Sequence, residues 1–265
     1  MMFQDIDFIR IPAGDYTIGL SHDDLESAYR MIRNTPVKQD FISSAFPAHA
    51  VHVDEVLIRR SLTTSEEFSQ FTAETGYVTE AEKDGWGWIM QGTRWLKRKG
   101  VCWRAPFGSP DDERYRACGG MPAMQVSWND AASYAAWVSV RIGKPVRLPR
   151  EAEWEVFARC GGIPGAGEFT KDPAAASAVH DFLETIRHAL DAGTHMSAGL
   201  LWEWTEDWYE GYPGGRESRE YGRTYRVLRG GSAISAPIQR TREFRLRKCP
   251  TARSPYYGFR IAIPA

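Results

Sequence analysis

The stretch RVLRGGS at 226–232, with GFRIA following at 258–262, decides how this chain is read. A short apolar strand, Val227 and Leu228, runs into Gly230-Gly231 and a serine, Ser232. Paired glycines permit a tight turn that residues with a Cβ resist, and a serine just beyond one commonly bonds local backbone. Working outward, the same chain carries LWEWTEDW at 201–208, LPREAEWE at 148–155 and SWNDAASYAAW at 127–137. Each segment alone is weak evidence. Their order and spacing are specific.

Composition sets the outer limits. Of 265 residues, 43% are hydrophobic and 25% charged, the ordinary balance of a soluble globular chain able to bury a substantial core. Ten Trp, none of them in a long apolar run, point to loops pinned by large aromatic anchors and not to a helical bundle. The net charge of −1 gives no global reason to expect nucleic acid or an anionic membrane. Between Arg216 and Arg260, however, twelve basic residues face three acidic ones. They read first as internal ion pairs linking loops, and second as cations around a pocket for an anionic ligand. Scattered through structured motifs, they do not form a nucleic-acid-binding arm.

The start, MMFQDIDFIRIPAG, has neither a basic region nor an apolar core of the secretory type, and no apolar stretch approaches 18 residues. A cytoplasmic protein without membrane contact is expected. Cys102, Cys118, Cys160 and Cys249 have no CxxC or zinc-type spacing, so free thiols are expected in a reducing compartment.

Local pattern predicts a mixture of helix and strand. FIRIPAGDYTIG at 8–19 reads as strand, turn and strand, and PAHAVHVDEVLI at 47–58 as a further strand. Thr63 or Thr64 caps a helix over 65–75 that buries Phe68 and Phe71. Ser127 or Asn129 caps another, with Ala131, Tyr134, Ala135 and Val138 on its apolar stripe. Pro149 suits the first turn of a third, carrying Trp154 and Phe157. The stretch 76–126 reads as loop, and 201–265 as short strands and turns. With no linker-like composition, one domain over 1–265 is the simplest organisation.

Together these motifs resemble the sulfatase-modifying-factor family, which contains the formylglycine-generating enzymes and the C-terminal domain of ergothioneine synthases. The resemblance implies an α+β class with a variant C-type lectin-like fold and much irregular structure. It also implies a pocket near Trp202 and Ser232. Formylglycine-generating enzymes place two cysteines after Gly-Gly-Ser to bind copper(I) and engage the substrate thiol. The matching positions here are Ser235 and Arg240, neither a soft ligand. Conversion of cysteine to formylglycine by that route is therefore not expected.

Two functions remain from the sequence. One is a metal-dependent oxidoreductase-like protein with altered chemistry, using iron or copper. The other is a non-catalytic lectin-like domain, in which Ser235, Arg240 and Arg242 make a polar, cationic site for an anionic small molecule, peptide or protein partner. For iron, His180, Glu184 and His188 share one helical face at i, i+4 and i+8, but the outer two would stand about 12 Å apart along the axis. For the structural Ca²⁺ that the family holds, Glu203 is the retained carboxylate.

Overall fold

Ser127 ends an extended segment, and its hydroxyl accepts the N–H of Asp130 while the Asp130 carboxylate accepts the N–H of Ser127 at 2.8 Å. This reciprocal cap starts helix α5, Trp128–Ile142, and Gly143 in the left-handed region ends it. The computed structural model describes residues 7–92, 94–108, 112–113, 115, 119–161, 184, 186–187 and 199–265. Thr64 caps α3, Ser65–Thr75, in the same way with Glu67. Phe68 and Phe71 of α3 meet Tyr134 of α5, with ring centroids 6.0 and 5.8 Å apart. The same cluster includes Trp103 and Phe259, so the two capped helices meet over a largely aromatic core.

The remaining helices are α1 (His22–Ile32), α2 (Gln39–Ser43), α4 (Glu80–Asp84) and α6 (Glu151–Cys160). Three strands, β1 (Phe8–Ile11), β4 (Val56–Arg59) and β11 (Ala262–Pro264), form an antiparallel sheet ordered β1-β4-β11. It ties the two ends of the described chain together. A ribbon pairs β2 (Gly14–Ile18) with β3 (His49–Val53). The sheet that carries the site is ordered β10-β7-β8-β9, from Tyr257–Gly258, Trp202–Trp208, Arg226–Arg229 and Leu246–Lys248. The α+β class and lectin-like architecture expected from the motifs are what the chain adopts.

Three local expectations are corrected. The stretch 76–126 contains α4 and an antiparallel hairpin, β5 (Trp86–Gln91) with β6 (Arg94–Lys99). The segment 47–58 is two strands in different sheets, broken at Asp54-Glu55. Helix α6 begins at Glu151, because Arg150 is extended and the Glu151 N–H is taken by Asp207 Oδ2 at 2.5 Å. Among the described residues no helix is long and apolar enough to cross a membrane.

Candidate functional site

Beneath the Gly-Gly-Ser turn lies a buried lattice of charge. Arg229, the last residue of β8, donates from Nη1 to Glu151 Oε1 at 2.8 Å and from Nη2 to Glu155 Oε2 at 2.6 Å. Arg245 donates to both oxygens of Glu151, at 2.6 and 2.9 Å. The second oxygen of Glu155 accepts the N–H of Gly19 at 2.9 Å. Burial alone would raise the Glu151 pKa, but Arg245 and then Arg229 outweigh it and hold the carboxyl below its usual range. Glu151 and Glu155 sit one turn apart on α6, so a single helix face presents both acids to the site sheet. Paired and hydrogen-bonded, these charges can remain in a core that would otherwise reject them.

A second pair lies on the same face of the sheet, since Glu203 stands directly opposite Arg229 across β7 and β8. Arg260 of the GFRIA segment donates from Nη2 to Glu203 Oε1 at 2.7 Å and from Nε to Oε2, and Trp154 Nε1 donates to Oε2 at 2.8 Å. Glu203 is fully buried. Of Glu203, the carboxylate considered for calcium, both oxygens are addressed by the Arg260 guanidinium, which neutralises it. Its role is that of a counter-charge in the core.

Above the lattice the chain turns sharply. Gly230 and Gly231 both have positive φ, +94° and +72°. A Cβ on Gly231 would stand 2.6 Å from the Gln239 carbonyl oxygen and 2.9 Å from Arg240 Cα, so only glycine lets the loop fold back onto itself. Ser232 N–H donates to Ser235 Oγ at 2.9 Å, and the two hydroxyl oxygens lie 3.0 Å apart. A 3₁₀ turn, Pro237–Arg240, then returns the chain, and Arg240 donates from Nε and Nη2 to the Ser235 carbonyl oxygen at 3.0 and 2.8 Å.

The structure thus brings Ser232, Ser235 and Arg240 together. The loop abuts the start of β7, where Ala233 N–H bonds Leu200 O at 3.2 Å. Trp202 lies behind it in the main core, its ring 5.8 Å from that of Phe244. Arg242 pairs through Nε with Glu243 at 3.0 Å, and its carbonyl oxygen accepts from Arg229. Of the residues considered for iron, His180 and His188 lie outside the described residues, and Glu184 bonds Arg187. Among the described residues no three of His, Cys, Asp and Glu gather as a metal-binding group.

Copper(I) fits this loop poorly. It prefers thiolate, and the two positions in question offer a hydroxyl already in a hydrogen-bond pair and a cation. Among the described residues, Cys102, Cys160 and Cys249 are free thiols, none of them within the loop. Sequence reasoning located the loop but passed over Glu151, Glu155, Arg245 and Arg260. Their signal was present in two acids one turn apart in an otherwise buried helix and an excess of arginine after 216.

The architecture matches solved structures of one class. PvdO from Pseudomonas aeruginosa superposes with a TM-score of 0.62 at 21% identity, over 97% of this chain and 94% of that one. A family model described as the sulfatase-modifying factor enzyme 1-like domain matches residues 3–265. The chain belongs to this family. The formylglycine-generating enzyme of Thermomonospora curvata is 32% identical over 82% of this chain and 84% of its own length. A Bos taurus protein named inactive C-alpha-formylglycine-generating enzyme 2 is 27% identical over 99% of this chain and 89% of its own.

Proposed function

We propose that this protein is a recognition member of its family that binds a small molecule or peptide and does not convert cysteine to formylglycine. The observation that carries the proposal is the Ser232–Ser235–Arg240 loop. Its hydroxyls bond each other, and its guanidinium bonds the loop's own carbonyl where the family's converting enzymes carry thiols. The chain has the glycine turn of the motif and a buried Arg–Glu lattice beneath it, while the positions set against the soft ligands hold Ser235 and Arg240. Likeness over nearly its whole length to a relative named inactive supports the same reading. Oxidoreductase chemistry with iron or copper would need metal ligands other than Ser235 and Arg240.

The test compares the protein with its Ser235→Cys/Arg240→Cys variant. Each is incubated with copper(I), oxygen, a thiol reductant and a cysteine peptide, and the peptide is read by mass spectrometry. Copper(I) affinity is measured by competition with a chromogenic chelator. The parent protein should leave the peptide unchanged and hold copper no better than Ser235→Ala; the double variant should gain copper affinity. Formylglycine formed by the parent protein would overturn the proposal.

A further inference from the structure

The hairpin β5–β6 is rich in indole and opens onto a cleft that the Ser232–Arg240 loop does not line. Trp86, Trp88 and Met90 of β5 stand opposite Lys99, Lys97 and Trp95 of β6, so their side chains share one face. Trp88 and Trp95 form one wall of a cavity of about 370 Å³; Lys248, Ala252, Arg253 and Tyr257 contribute to the other. That volume suits a ligand of one or two fused rings. Trp95 remains 45% exposed, a large apolar side chain held at the mouth.

The charges around the cleft are unbalanced. Arg253 is compensated: it stacks 4.0 Å over Trp86 and pairs with Asp84 at 2.7 Å. Lys97 lies over the same indole, at 4.0 Å. Lys248 is half-buried, and no described residue gives it a salt bridge or a side-chain hydrogen bond. Among the described residues no carboxylate lines the cavity. A sheltered ammonium without a counter-ion carries a desolvation cost, and burial pushes the Lys248 pKa down accordingly. An anion beside it would remove that cost.

We propose that this cleft binds a small planar aromatic anion, its ring against the Trp88 and Trp95 indoles and its anionic group on Lys248. Aromatic walls select flat rings through stacking, and one fixed ammonium selects those that carry an anionic group. The site stands independently of the proposal for the Ser232–Arg240 loop, because it uses none of that loop's side chains.

Calorimetric titration with 2-naphthoate, and in parallel with the neutral 2-naphthalenemethanol, tests it. Naphthoate should bind at one site per chain. Lys248→Met should weaken naphthoate about tenfold and leave the alcohol unchanged, as expected for loss of one charge-assisted contact. Trp88→Leu should weaken both. Lys248→Gln serves as the second charge-removing variant should Lys248→Met melt differently from the parent. Absence of naphthoate binding, or equal loss of both compounds on removing the ammonium, would refute the site. Neither result bears on the copper and peptide assays, which read different residues.

Discussion

Ser232 Oγ lies 3.0 Å from Ser235 Oγ, so the serine of the Gly-Gly-Ser turn is bonded to the residue that the motif sets against the first thiol of the converting enzymes. The pair is buried, and the Ser232 N–H also reaches Ser235. A hydroxyl here stabilises the turn itself, which is a structural use of a position that elsewhere serves chemistry. Retained scaffold and replaced ligand meet in this one contact.

The lattice below the turn should dominate stability. Arg229→Met strips a guanidinium from Glu155 and from one oxygen of Glu151, leaving charge in a wholly buried site. The expected loss is about 3–5 kcal/mol by urea unfolding, the usual cost of orphaning one member of a buried ion pair. Adding Glu155→Gln to Arg229→Met should cost less than the sum of the single changes, because the orphaned charge is then removed. Strict additivity would show that the pair is uncoupled.

Stability should also fall with rising pH through a window set by Asp207. Burial, then the nearby Glu151, pushes its pKa up to about 6, with Glu206 and Glu153 adding to the effect. Arg147 and Arg226 interact electrostatically with the same carboxylate. Because the folded form holds this proton more tightly than the unfolded chain, the folded state binds more protons between about pH 4 and 6. Its contribution is therefore full below about 4 and lost as pH rises to about 6. Asp207→Asn keeps an oxygen for the Glu151 N–H and removes the titration. The difference in unfolding free energy between parent and variant should shift across that window, in favour of the variant at pH 7. A pH-independent difference would exclude Asp207 as the source.

The turn glycine separates backbone conformation from crowding. Gly76 and Gly231 have nearly the same φ, +66° and +72°, yet a Cβ at Gly76 meets nothing within 4 Å. Gly76→Ala should cost about 1 kcal/mol from the left-handed backbone alone. Gly231→Ala should cost about 2 kcal/mol more, since overpacking adds to strain. Equal losses in chemical denaturation would mean that the loop opens freely and that its closure on Arg240 is loose.

Much of this protein was legible residue by residue. Thr64 and Ser127 announce helices because each cap is a contact over three positions, and Phe68, Phe71 and Tyr134 announce the faces those helices bury. That the loop holds Ser235 and Arg240, and no thiol, needed only the sequence. The hairpin at 86–99 was not legible. Its Gly, Trp and Lys residues read as loop until cross-strand pairing sets Lys97 over the indole of Trp86.

Local sequence determined the caps, the glycine turn and which residues could serve as ligands, since those depend on spacing and on side-chain chemistry that neighbours carry with them. Only the tertiary structure decided which charges meet. Arg245 and Glu151 are 94 positions apart, and nothing in either segment names the other. An arginine is indistinguishable in sequence as a pocket cation or a core counter-ion, because the difference is whether folding brings a carboxylate to it and takes the water away.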